Sequence, residues 1–149
     1  MYSDPEVARY ITERFDPVRV HVRDQAAEYK RLAERFNAQW TPTILVLDHE
    51  GKERHRIEGF LAAGEFLSQV ALGLGKSAFQ RQDYVEAERR FREVVERFPS
   101  TDAAPEALYW TGVAKYKASG DASALRATAT AFGERYQDTT WATKASVWR

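Results

Sequence analysis

The stretch Gln39-Trp40-Thr41-Pro42-Thr43-Ile44-Leu45-Val46-Leu47 decides the fold of this chain. Thr43 to Leu47 is a continuous apolar run, the pattern of a strand covered on both faces. Asp48-His49-Glu50-Gly51 follows as a turn in which glycine is free to take positive φ. Glu53 to Glu58 returns as the second strand of a hairpin. Upstream, Asp24 stands as cap to a helix ending near Phe36, with Tyr29, Leu32, Ala33 and Phe36 as its buried stripe. Before it, Val18-Arg19-Val20-His21-Val22 alternates with period two and predicts a short strand. Asp4-Pro5 opens a first helix over 5–15, carried by Val7, Ala8, Ile11 and Phe15 and ended by Pro17.

Downstream the pattern changes. Gly59-Phe60 leads into a helix with Phe66, Leu67, Val70 and Leu74 on one face, and no strand signal follows. Tyr84 to Phe98 forms a helix closed by Pro99. Leu108 to Tyr116 forms the next, ended by the loop Ser119-Gly120-Asp121. Leu125 to Tyr136 is a third, and Trp141, Ala145 and Trp148 mark a fourth that stops at Arg149. A shift of 38 residues pairs Glu96 with Glu134, Arg97 with Arg135, Phe98 with Tyr136, Thr101 with Thr139 and Trp110 with Trp148. A fixed period of this size marks stacked helical hairpins.

Composition narrows the function classes. The 149 residues carry 22 basic and 22 acidic side chains, a formal net charge of +0, with neither half strongly biased. That balance argues against a nucleic-acid partner, which calls for a basic face. No apolar run reaches the roughly 20 residues of a membrane helix, so no membrane partner is expected. The N-terminus has no charged patch followed by an apolar core, so no signal peptide is expected and the expected location is cytoplasmic. The count of cysteines is 0, which removes disulfides, zinc–thiolate sites and a cysteine nucleophile from this chain.

The first half resembles the back portion of a thioredoxin-fold domain, and its opening helix is similar to that of bacterial thioredoxin-like proteins. The order helix, strand, helix, Trp40-Thr41-Pro42-Thr43, strand, hairpin strand, helix is that fold's second part. The Thr41-Pro42 loop sits where the family carries its cis-proline, and the resemblance implies that it presents backbone to a polypeptide substrate. The family's first strand and helix, its central strand and its Cys-x-x-Cys motif would all precede Asp4. Either the redox part lies upstream of this chain or it was lost. In both cases the strands at Val18–Val22 and Ile44–Leu47 lack the central strand between them. They are then left to pair with each other or to offer edges to a partner strand or a second copy.

The second half resembles tetratricopeptide repeats. Leu74-Gly75, Tyr84, Ala87, Phe91 and Pro99 fall on the pattern of one unit, and Gly112, Ala124 and Ala131 on a second. That second unit departs from the pattern at Thr128 and Gln137. The resemblance implies protein binding. The expected architecture is therefore α/β then all-α: a truncated thioredoxin-like domain over 1–74, packed on tetratricopeptide-like hairpins over 75–149. The expected function is a non-catalytic module binding a protein or peptide, with homo-oligomers through unpaired strand edges as a further expectation. The alternative is the C-terminal part of a thiol–disulfide oxidoreductase whose Cys-x-x-Cys segment lies upstream.

The candidate binding residues are Trp40, Thr41, Pro42 and Thr43, with Tyr109, Trp110, Trp141 and Trp148 on the helical half. Large aromatics dominate binding hot spots, but they also fill the gaps between stacked helices, and burial statistics favour the second use for this set. No catalytic residue, cofactor or metal is assigned. Gly73-Leu74-Gly75-Lys76-Ser77 lacks the upstream glycine of a phosphate loop and lies in a helical pattern. His49 and His55, near Asp48, Glu50 and Glu53, match no ligand spacing and are expected to be solvated hairpin residues. His21 has no nucleophile to serve. Glu86–Arg90, Glu88–Arg92 and Glu93–Arg97 are i,i+4 pairs on an exposed helix face, each worth about 0.2–0.5 kcal/mol.

Overall fold

A computed structural model describes residues 3–149. The first helix, α1 (Pro5–Arg14), begins as its sequence dictates: Pro5 occupies the first turn, and the Asp4 carboxylate accepts from the backbone N–H of Glu6 at 2.8 Å. Helix α2 covers Ala26–Phe36, the hairpin strands are β1 (Thr43–Leu47) and β2 (Glu53–Glu58), and α3 runs from Ala63 to Gln80. Then come α4 (Tyr84–Arg97), α5 (Ala103–Ser119), α6 (Ser123–Glu134), α7 (Thr140–Ala145) and a closing 3-10 turn at Ser146–Trp148. The chain is thus mostly helical, with one small antiparallel sheet of order β1-β2.

Three expectations fail around that sheet. Val18–Val22 is not a strand: residues 15–21 carry no regular structure, and Val18 is 86% exposed. It forms no strand ladder with β1 or with any other segment among the described residues, and a strand forms only against a ladder partner. Asp24 does not cap α2. The N-cap is Gln25, whose side-chain oxygen turns back to accept the His21 N–H at 2.9 Å, while the Asp24 carboxylate lies 3.0 Å from His21 Nδ1. β1 is not covered on both faces either, since Val46 alone of its five residues is buried.

The hairpin turn holds itself. Asp48 Oδ1 accepts the backbone N–H groups of Glu50 and Lys52, both at 2.9 Å, and Oδ2 meets Arg54 at 2.6 Å. The bond from the Lys52 backbone, with that to Arg54 behind it, brings the Asp48 pKa down to about 2.

The helix α3 joins the two halves, so the expected boundary between 74 and 75 falls inside one continuous element. Its apolar residues Phe66, Leu67, Val70, Ala71 and Leu72 are buried, each large one worth about 1.5–3 kcal/mol relative to exposure. Glycines set how closely its neighbours approach. A Cβ at Gly73 would lie 2.8 Å from Val46 Cγ2, against the sheet, and one at Gly75 would lie 2.5 Å from the Phe91 ring of α4. Beyond α3, α4 packs on α5 and α5 on α6. Thr128, where the repeat pattern carries an aromatic, sits directly against Gly112. The Glu86–Arg90, Glu88–Arg92 and Glu93–Arg97 pairs form as expected, at 2.7, 3.5 and 2.9 Å.

Gly75→Ala should destabilise the protein by about 1–3 kcal/mol through overpacking against Phe91. Gly64→Ala, with nothing within 4 Å of its added methyl, should be neutral or stabilising. Urea unfolding of the two variants checks the contrast. Equal effects would show that α3 and α4 are not in close contact.

Candidate functional site

The chain leaves α2 at Asn37, which takes the left-handed conformation (φ 49°), and runs through Gln39, Trp40 and Thr41 to a cis Thr41–Pro42 bond. The turn is tied to both strands. Thr43 Oγ1 donates to the Trp40 carbonyl at 2.6 Å, and the Gly59 N–H donates to the Pro42 carbonyl at 2.8 Å. Trp40 projects from it, 67% exposed. Beside it an open cleft of about 600 Å³ is lined by Asn37, Gln39, Trp40, Arg56 and Glu58.

Arg56 braces this region. Its guanidinium donates to Glu53 at 2.7 and 2.8 Å and to Glu58 at 3.2 Å, and it reaches across to the carbonyls of Phe36 and Asn37 at the end of α2. The hydrogen bond to Glu53 is the largest influence raising its pKa, and the same bond lowers that of Glu53. Two carboxylates therefore already occupy this cation.

The geometry of the hairpin exposes a backbone edge. Gly59 pairs with Pro42 through a hydrogen bond, so alternation along an antiparallel ladder assigns the bonded pairs to Ile44↔Ile57 and Val46↔His55. The N–H and C=O groups of Thr43 and Leu45 then point away from β2. Among the described residues no strand and no loop backbone meets them. Helix α2 keeps Tyr29, Leu32, Ala33 and Phe36 half-buried, and its C-terminal end meets β2 through Arg56.

Residues 1–72 match the family model of a thioredoxin-like domain. This chain carries a thioredoxin-like domain. No curated protein and no solved structure matches the chain. In the thioredoxin-like domain, Trp40, Thr41 and Pro42 lie in the segment joining α2 to β1, and Thr43 opens β1. The domain contains no thiol, because the whole chain has 0 cysteines. Among the described residues, no helix is long and apolar enough to cross a membrane, and no group of three or more acidic, histidine or cysteine side chains is placed to hold a metal ion.

The second set of candidates lies elsewhere, on the helical half. Tyr109 stacks on Trp148 with centroids 4.6 Å apart and meets Trp141 at 5.2 Å and Trp110 at 5.5 Å. Trp110 turns inward, edge-on to Phe79 at 5.3 Å and near Phe91 at 6.4 Å, with its indole N–H buried and unpartnered. The structure brings these four rings to one another and places Trp40 to Thr43 apart from them, on the thioredoxin-like domain.

Two groups escaped the sequence reading. Arg56 lies among Glu53 and Glu58, a spacing that anticipates a clamped guanidinium on a strand. His55 is not a solvated turn residue: it stands two positions before buried Ile57, on the same face, and packs toward α3. That phase was its signal.

Replacing Arg56 with Met should free the C-terminal end of α2 and cost about 1–2 kcal/mol. Amide exchange should rise across 26–36 while α4 and α5 stay unchanged. Uniform exchange across both halves would contradict the bracing role.

Proposed function

We propose that this protein is a non-catalytic module that binds an extended polypeptide along the open edge of β1, beside the Trp40–Thr43 loop. The observation that carries this is the outward-facing N–H and C=O set of Thr43 and Leu45, with exposed Trp40 beside it. Backbone hydrogen bonds supply affinity in such strand addition, and neighbouring apolar side chains supply selectivity. The occupant is a partner peptide or, by the same edge, a second copy. The helical half, tetratricopeptide-like in its pattern, braces the thioredoxin-like domain through α3, and its aromatic set closes the far end of the bundle. Thiol–disulfide exchange requires a thiolate and lies outside the means of this chain.

A second reading rests on the same open edge. A strand from an upstream segment bearing Cys-x-x-Cys would also fill it, making Thr41 and Pro42 active-site neighbours of a thiol–disulfide oxidoreductase. The intact mass of the natural protein separates the two.

Titration with a cysteine-free, β-forming apolar peptide of about eight residues should shift the amide resonances of Thr43 and Leu45 and quench Trp40 fluorescence. Leu45→Pro removes one outward N–H without touching the β2 ladder and should weaken binding about tenfold. Shifts confined to α5 and α7, or none in 40–47, would overturn the proposal.

A further inference from the structure

His55 sits where the sheet meets the helical half. A methyl added at Gly73 would come within 3.1 Å of its Cβ, so β2 and α3 are in direct contact there. Its Nε2 lies 2.7 Å from Gln69 Oε1, and its Nδ1 lies 3.2 Å from Lys76 Nζ, both on α3. An ammonium can only donate, so Nδ1 accepts and the imidazole proton resides on Nε2, donated to Gln69. Lys76 continues to Glu106 on α5 at 2.7 Å, with both side chains about three-quarters covered. One hydrogen-bonded chain therefore runs from β2 through α3 to α5, and it requires a neutral imidazole.

We propose that His55, Lys76 and Glu106 form a pH-sensitive latch: protonating His55 releases the β1–β2 hairpin from α3 while the helical half stays folded. Protonation places an N–H against the Lys76 ammonium, turning a hydrogen bond into a contact between two cations. The charged groups facing His55 are Lys76 on α3, Glu106 on α5 and Glu53 on its own strand, and its partner Val46 on β1 is apolar. Glu106 is already engaged by Lys76, and Glu53 by Arg56. Burial, followed by the Lys76 charge, lowers the pKa of His55 from 6.5, against the opposing pull of Gln69, Glu106 and Glu53. A depressed histidine contributes stability that is present above its unfolded pKa, about 6.5, and is lost as pH falls through its folded value. The hairpin responds first because Ile44, Val46 and Ile57 are its main apolar holds on α3, whereas α3, α4 and α5 share a continuous core.

The test follows hairpin amides of the full chain by NMR from pH 7.5 to 5, with exchange corrected for its intrinsic pH dependence. Opening at Val46 and Ile57 should increase by a factor approaching tenfold per pH unit below 6.5, with α4 and α5 amides unmoved. His55→Gln, neutral at every pH, should flatten that response. Should it fail to fold, Lys76→Met serves instead: it should raise the His55 imidazole pKa and shrink the response. A hairpin that stays closed at pH 5, or that opens equally in the variants, would overturn the latch.

Discussion

The structure depends on the close approach that α3 permits on two sides. Gly73 lets β1 and β2 lie against one face, and Gly75 lets Phe91 of α4 lie against another. A side chain at either place would push a neighbour outward in an interior packed at crystal density. Because one helix of 18 residues serves both halves, the α/β part and the helical part share a core that neither owns. A two-stranded hairpin is marginal alone. Here it is stable because Val46 and Ile57 are buried on α3.

The other face of the hairpin has no such support. Val18–Val22 has the alternation of a strand and the wrong neighbours: without a ladder beside it, the segment stays irregular, with Val18 and Val22 exposed. α2 forms from its own amphipathic pattern and keeps its stripe half-buried, and Arg56 ties its C-terminal end to β2 through the carbonyls of Phe36 and Asn37. The same incompleteness creates the functional surface. An edge that nothing in the described chain pairs is a place where another strand adds.

Local pattern made most of the elements legible. Asp4-Pro5, Gly51 and Gly120 each mark an end found in the structure, because caps and turns are decided by a few adjacent residues. Long-range partnership was not legible. The strand at Val18–Val22 and the full burial of β1 both assumed a neighbour, and period-two alternation says nothing of whether one exists. The loop Trp40–Thr43 was legible because Thr-Pro stands immediately before an apolar run. His55 was misjudged because its nearness to the turn outweighed its phase with Ile57. Lys76 and Glu106 were hidden because 30 residues of chain separate two groups that meet only once α3 and α5 pack.

Native-state amide exchange across the whole chain tests most directly whether α3 anchors both halves while α2 is tied on mainly through Arg56 at its C-terminal end. The account predicts that β1, β2, α3, α4 and α5 are protected together, while residues 16–40, α2 included, exchange through local opening at far lower free energy. Protection of α2 equal to that of α3 would contradict it.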